Sequence, residues 1–111
     1  MAINPTLSEL KNALGSDYRI CDIDLERCLY RDYGNGFDVE ISDVCRANRK
    51  CPAALYLWFT GEGNPMLVKT MHDVGRTADA IAAAADELYE LSRQLIIMGC
   101  NNRRRLIEMK Q

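Results

Sequence analysis

Residues 33–42 read Tyr-Gly-Asn-Gly-Phe-Asp-Val-Glu-Ile-Ser, which combines a hairpin signal with the pattern of a strand. Asn35-Gly36 favours a two-residue hairpin, because both central positions of a type I′ turn need a positive φ angle. The alternation of apolar and polar residues that follows is typical of a strand with one buried face. The apolar face of this predicted strand holds Phe37, Val39 and Ile41, and the polar face holds Asp38, Glu40 and Ser42.

A two-residue turn at Asn35-Gly36 also sets the register of the predicted hairpin. In that register Arg31 lies opposite Glu40, which is a favourable cross-strand charge pair, and Tyr33 lies opposite Asp38. Asp32 falls beside Val39 on the apolar face, close enough to the hairpin end to reach water. The register therefore predicts a polar face that combines carboxylates with Arg31 and Tyr33.

Sequence periodicity predicts the remaining elements. Thr6 and Glu9 form a capping box for a helix over residues 6–15, which Gly15 ends. We expect the strands to lie within residues 17–70, at 18–24, 27–33, 37–42, 53–60 and 66–69. A long helix is expected over residues 77–99, with Thr77 as its N-cap. Residues 100–111 form a basic C-terminal segment, which is predicted to be either a last helical turn or a tail.

The order of these elements predicts a single α+β domain over residues 1–111. It comprises a short N-terminal helix, an antiparallel sheet of four to five strands, and a long C-terminal helix packed on one sheet face. No apolar run approaches the roughly 20 residues that span a bilayer. The first residues lack the basic and apolar regions of a secretory signal. We therefore expect a cytoplasmic protein without a membrane partner.

Charge is strongly segregated along the chain. Residues 17–43 carry eight carboxylates and three arginines, a net charge of −5, whereas residues 45–51 carry +3 without an acid. A charged surface selects partners and steers encounters with them. Tyr, Trp and Arg are the residue types that dominate binding hot spots. The predicted partner-binding residues are Asp22, Asp24, Arg31, Asp32, Tyr33, Asp38, Glu40, Asp43, Tyr56 and Trp58.

Catalytic and metal-binding signatures are weak. The five cysteines contain no Cys-x-x-Cys pair, although Cys45 and Cys51 could close a basic loop on oxidation, and His72 is the single histidine. We predict no cofactor and no enzyme activity. One alternative is a metal-dependent enzyme acting on phosphates, since Asp22 and Asp24 share a strand face and Glu26 or Asp43 could complete a Mg²⁺ site.

A second alternative is a small homodimeric protein. The long helix carries an apolar stripe that includes Ile81, Leu88, Leu91 and Leu95, and its steps of three and four residues suit a helix–helix dimer seam. The same stripe is expected on a helix that packs against its own sheet, and we favour that interpretation. Ile96 and Ile97 would add surface to a dimer contact.

The sequence is similar to a double-stranded-RNA-binding domain in its helix–strands–helix order and its alanine-rich second helix, Ala78 to Leu91. That family grips phosphates with lysines at the start of this helix. Here the segment reads Arg76-Thr77-Ala78-Asp79, with one base and one acid, and the strands are net acidic. Because affinity for nucleic acid depends on Lys and Arg, we expect no direct nucleic-acid binding.

Residues 6–43 resemble small phage-encoded anti-CRISPR inhibitor proteins. The shared features are chain size, a short helix running into a strand at Asp17-Tyr18, an antiparallel meander and a carboxylate-rich surface. The resemblance implies a protein that blocks the nucleic-acid groove of a host nuclease. The acids that would replace phosphates are Asp22, Asp24, Asp32, Asp38, Glu40 and Asp43. Our leading hypothesis is thus a non-enzymatic inhibitor of a protein with a basic groove.

Overall fold

The computed structural model describes residues 6–23, 26–42 and 52–109, except for the side chain of Glu26. Predictions about Asp24, Asp43 and the Cys45–Cys51 loop lie outside these residues. The elements are α1 (Leu7–Leu14), β1 (Arg19–Ile23), β2 (Glu26–Asp32), β3 (Phe37–Ser42), β4 (Ala53–Phe59), β5 (Met66–Val74), α2 (Ala78–Ile97) and α3 (Arg103–Met109).

The predicted α+β class is confirmed. The five described strands form one antiparallel meander in the order β1-β2-β3-β4-β5. Helix α1 contacts β1 and β2, and α2 contacts β3, β4 and β5. The side chains of both helices join one hydrophobic core with the same sheet face. We call this the inner face and the opposite one the outer face.

The alternation expected in β3 and β4 builds the inner face. Phe37, Val39 and Ile41 are fully buried there, opposite Phe59, Leu57 and Leu55 of β4. The rings of Phe37 and Phe59 are tilted against each other, with centroids 5.2 Å apart. Tyr56 and Trp58 of β4 lie on the outer face, opposite Glu40 and Asp38.

Capping residues fix the helix starts as predicted. The Thr6 hydroxyl accepts a hydrogen bond from the backbone N–H of Glu9 at 3.2 Å, and the Glu9 carboxylate reaches back to Thr6. Thr77 caps α2 by accepting from the backbone N–H of Ala80 at 3.1 Å. Gly99, with φ of 74°, follows the end of α2. These local interactions explain why both helices were predicted well.

Two elements at the C-terminal side differ from expectation. Strand β5 continues to Val74 rather than ending at residue 69. Register shifts along the β4–β5 pair break the alternation of apolar and polar residues that would have indicated the longer strand. Helix α3 forms where a turn or tail was expected. The side chain of Asn102 accepts from the backbone N–H of Arg105 at 2.9 Å, and Leu106 enters the core.

The predicted hairpin register is wrong by one residue. Tyr30 lies opposite Glu40, Arg31 opposite Val39, and Asp32 opposite Asp38. The backbone N–H of Tyr33 donates to the carbonyl of Phe37 at 3.1 Å, so the loop contains three residues, 34–36, instead of two. Arg31 and Tyr33 consequently lie on the inner side and not on the outer face, whereas Tyr30 and Asp32 lie on the outer face.

The three-residue loop has a clear physical cause. Gly34 and Gly36 adopt φ angles of 76° and 91°, so the two glycines supply the positive φ values, and Asn35 does not. The Asn35 amide instead donates to the Ser92 hydroxyl of α2 at 3.0 Å, while its oxygen accepts from the backbone N–H of Phe37 at 3.1 Å. Asn35 therefore ties the hairpin to α2.

The apolar stripe of α2 belongs to the core of this chain. Ile81, Leu88 and Leu95 are buried, and Leu91 packs against the same cluster while half-buried. These side chains are thus not available as a dimer seam, because the sheet already covers them. A homodimer would need another surface.

We expect Leu88→Ala to lower the free energy of unfolding by about 2–5 kcal/mol, because it removes buried methyl groups and leaves a cavity against the sheet. The matched control is Ile97→Ala on the same helix, where the side chain is 72% exposed and the expected change is within about 0.5 kcal/mol. Urea unfolding followed by circular dichroism measures both. Equal losses for the two variants would contradict the assignment of the Leu88 stripe to the core.

Candidate functional site

The outer face brings acidic and aromatic side chains together in two rows across the strands. One row contains Tyr30, Glu40 and Tyr56, and the next contains Asp32, Asp38 and Trp58. The corrected register creates this arrangement, since it moves Tyr30 onto the face that Glu40 occupies. Tyr30 was not among the residues predicted to bind a partner. A three-residue loop would have indicated it, because that register pairs Tyr30 with Glu40.

Asp38 and Glu40 are buried on the outer face rather than solvated as expected. Their relative exposures are 4% and 9%. Both carboxylates are hydrogen-bonded to flanking aromatic side chains. Carboxylates at such depth cost free energy unless they are paired or hydrogen-bonded. The outer side of β3 therefore does not form an acidic strip open to solvent.

The Glu40 carboxylate is well supplied with hydrogen-bond donors. The indole N–H of Trp58 donates to Oε1 at 3.2 Å, and the Ser42 hydroxyl donates to Oε2 at 2.9 Å. The Cys28 thiol lies 3.9 Å from the same Oε2. These donors hold Glu40 and Trp58 in one fixed arrangement on the outer face.

The Asp38 carboxylate is only half satisfied. The Tyr30 hydroxyl donates to Oδ2 at 2.5 Å, whereas Oδ1 is buried and has no hydrogen-bond partner. Burial raises the pKa of Asp38, and the neighbouring Asp32 and Glu40 carboxylates add to the rise, while the Tyr30 hydrogen bond opposes it. Burial and the hydrogen bond to Asp38 in turn raise the pKa of the Tyr30 hydroxyl.

These side chains surround an open cavity of about 220 Å³. Its lining consists of Ile23, Tyr30, Asp38, Glu40, Trp58 and Pro65. We call this cavity the outer-face pocket. Isoleucine, proline and the two aromatic residues give it apolar walls, and the two carboxylates are its ionisable acids. Ile23 and Pro65 were not among the predicted site residues, because they come from strand and loop ends that only the folded sheet brings near Asp38.

Of the remaining predicted binding residues, Trp58 lines the outer-face pocket, whereas Asp22, Asp32 and Tyr56 do not. The Asp22 side chain is 70% exposed and forms an ion pair with Arg27 at 3.2 Å. Asp32 is exposed, and its Oδ1 accepts from the backbone N–H of Gly34 at 2.8 Å. Tyr56 and Trp58 are half-buried. Asp24 and Asp43 lie outside the described residues, so their predicted part stays a prediction.

Arg31 and Tyr33 have structural partners on the inner side. The Arg31 guanidinium lies over the rings of Tyr18 and Tyr33, with centroid distances of 5.4 Å and 5.3 Å, and 3.8 Å from the Asp17 carboxylate. The Tyr33 hydroxyl donates to the carbonyl of Ala85 at 2.7 Å. Tyr33 therefore connects the sheet to α2, Arg31 packs against residues that precede β1, and neither side chain lines the outer-face pocket.

Residues 6–23, 26–42 and 52–109 hold no group of three or more His, Cys, Asp or Glu side chains arranged to bind a metal ion. The alternative of a Mg²⁺ site at Asp22 and Asp24 stays a prediction, since Asp24 and the Glu26 side chain are not described. No helix in the same residues is both long and apolar enough to cross a membrane.

Comparison with known proteins adds no relative. No protein-family model matches the chain, and neither the curated proteins nor the solved structures contain a match to it. A function for this chain can therefore be proposed only from the physical properties of the outer-face pocket.

The raised pKa of Asp38 predicts a pH-dependent cost of folding. Because the native carboxyl binds its proton more tightly than the unfolded one, its contribution to stability is lost as pH rises through the native pKa. We expect Asp38→Asn, which can still accept from Tyr30, to gain stability relative to the wild type as pH rises above about 4, where an unfolded aspartate loses its proton.

Chemical unfolding at each pH measures this difference, with Glu87→Gln on the exposed side of α2 as the matched control. If the free energies of unfolding of the wild type and Asp38→Asn change in parallel with pH, the raised pKa of native Asp38 is contradicted. The control is expected to follow the wild type throughout.

Proposed function

We propose that this chain is a non-enzymatic protein-binding module that docks on a basic surface of a partner through the outer face of its sheet. The observation that carries the proposal is the outer-face pocket, in which aromatic side chains flank two buried carboxylates. In the described part of the chain, neither Asp38 nor Glu40 forms an ion pair. A basic partner would supply the missing positive charge.

Exposed acids near the pocket support the same proposal. Asp17 and Asp32 line a shallow recess together with Arg19 and Tyr30, and Tyr30 also lines the outer-face pocket. Charges at the rim of an interface mainly accelerate encounter and set its salt dependence. Asp17 and Asp32 would thus steer the approach of a basic partner, and the pocket would hold the partner in place.

The resemblance to anti-CRISPR inhibitors gives this module a more specific proposed role. The partner would be a nucleic-acid-handling enzyme of the host, such as a CRISPR nuclease, and the contacted surface would be its basic groove. Docking there would exclude nucleic acid from the groove. The mode differs from phosphate imitation by an open acidic strip, because the two central carboxylates are recessed.

The docking proposal is tested with Asp17→Asn/Asp32→Asn against the control Asp86→Asn/Glu87→Gln on the exposed side of α2. Both variants remove two charges. The pocket-side variant also removes the ion pair of Asp17 with Arg31, whereas the amide that replaces the Asp32 carboxylate can still accept the hydrogen bond from Gly34. Affinity capture from host lysate at low salt compares them with the wild type. We expect a basic, nucleic-acid-binding protein to be retained by the wild type and the control. When the association rate of this captured protein with each form is then measured, we expect the pocket-side variant to associate several-fold more slowly.

Nucleic acid added to the captured complex is expected to compete with the chain for the partner. Docking through the outer face is contradicted if the wild type, the pocket-side variant and the control retain the same proteins and associate with them at the same rate. A captured partner that binds the chain and nucleic acid together would overturn the groove-blocking role.

Exposed apolar side chains favour a homodimer as a second candidate. Of the five large apolar side chains exposed in the described residues, four lie between residues 97 and 109: Ile97, Met98, Ile107 and Met109. Exposed apolar surface of this kind is typical of contact sites when it is contiguous. The dimer contact would then use the end of α2 and helix α3 in place of the buried stripe.

Ile97→Glu tests this second candidate. If residues near Ile97 form the contact, we expect a wild-type dimer to become a monomer on sedimentation, because a carboxylate would be placed in an apolar interface. Tyr89→Glu, on the same helix but outside residues 97–109, is the control. A wild-type monomer at high concentration would exclude the contact.

A further inference from the structure

We propose that the outer-face pocket is a binding site for one organic cation, a guanidinium or alkylammonium group on an aliphatic stem. This inference deepens the proposed function and rests on it, since it names the group of the partner that the pocket receives. The carboxylates of Asp38 and Glu40 would hold the charged head. Ile23, Pro65 and the ring of Trp58 would contact the stem.

The unsatisfied oxygen of Asp38 is the first observation behind the proposal. Asp38 is 4% exposed, it lines the pocket, and its Oδ1 has no hydrogen-bond partner. Buried polar atoms in native structures almost always have a partner, so an exception needs an explanation. Oδ1 is the oxygen that a donor from the pocket would satisfy, because Oδ2 is already bonded to Tyr30. Oδ1 is enclosed in the free protein, so a side chain at the pocket must shift as the donor enters.

The local charge balance is the second observation. The ionisable neighbours that act on Asp38 are Asp32, Glu40 and Tyr30, and all of them are acids. The Arg19 guanidinium lies over the ring of Tyr30, at 4.8 Å from its centroid. No ion pair links Arg19 to Asp38 or Glu40 among the described residues. The pocket is therefore complementary to a positive charge brought by another molecule.

The apolar walls select an organic cation over a metal ion or an anion. Mg²⁺ and Ca²⁺ require about six or more oxygen ligands, whereas this pocket offers carboxylates from two residues among aromatic and aliphatic side chains. Trp58 provides a ring that attracts a cation, and arginine stacks on such a ring while donating several hydrogen bonds in one plane. We therefore expect arginine to bind more tightly than lysine.

The probe is blocked arginine, in which both backbone ends are amides, and its control is blocked citrulline, which has nearly the same shape without the charge. Trp58 is the single tryptophan of the chain, and its indole N–H is bonded to Glu40. Tryptophan fluorescence and the NMR shift of that N–H therefore report binding at the pocket directly. We expect arginine to bind about tenfold or more tightly than citrulline.

Asp38→Asn and Glu87→Gln complete the test on the protein side. Asp38→Asn is expected to lose about tenfold or more in affinity for blocked arginine, while Glu87→Gln binds as the wild type does. Equal binding of arginine and citrulline to the wild type would overturn the cation site, and this comparison does not depend on the folding of any variant. The absence of a Trp58 response to both blocked arginine and blocked lysine would overturn it as well.

Free arginine distinguishes the two sources of such a cation. Blocked arginine binding more tightly than free arginine assigns the cation to a side chain of a protein partner. The reverse order would overturn that assignment in favour of a small molecule. If the captured partner still binds Asp38→Asn as it binds the wild type, the pocket inference fails while docking through the outer face stands.

Discussion

The three-residue loop at Gly34–Gly36 is the constraint on which the rest of the outer face depends. Side chains alternate between the two faces of a strand, so a shift of one residue would move every side chain of β2 to the opposite face. The two glycines supply the positive φ angles of the loop. The Asn35 amide joins the loop to Ser92 of α2, which links the hairpin register to the position of the helix.

That register places Tyr30, Asp38, Glu40 and Trp58 next to one another, and their chemistry follows from burial. Carboxylates removed from water are stabilised by donors, and Glu40 has its donors in Trp58 and Ser42. Asp38 has one from Tyr30 and keeps a second oxygen without a partner. Such imbalance is common at binding sites, because a group left unsatisfied in the free protein gains most when a partner arrives.

The inner face explains how the molecule tolerates this cost. The three helices and the inner sides of the described strands share one continuous hydrophobic core. Capping interactions fix the starts of α1 and α2. The Tyr33 hydroxyl bonded to Ala85 links the sheet to α2, and the Arg31 guanidinium packs on Tyr18 just before β1. Asp38 and Glu40 therefore lie on a sheet whose other face is packed against the helices.

The sequence by itself determined the fold class, the apolar faces of β3 and β4, and the start of each long element. Those features follow from local alternation, helical periodicity and capping residues. Only the tertiary structure decided the hairpin register, the length of β5, the helix at Arg103–Met109 and the pocket. Asn-Gly is compatible with loops of two and three residues. Here Gly34 and Gly36 permit the three-residue loop, and the bond of Asn35 to Ser92, 57 residues away, holds it against α2. The burial of Asp38 and Glu40 likewise depends on side chains from four separate segments, which no local pattern can reveal.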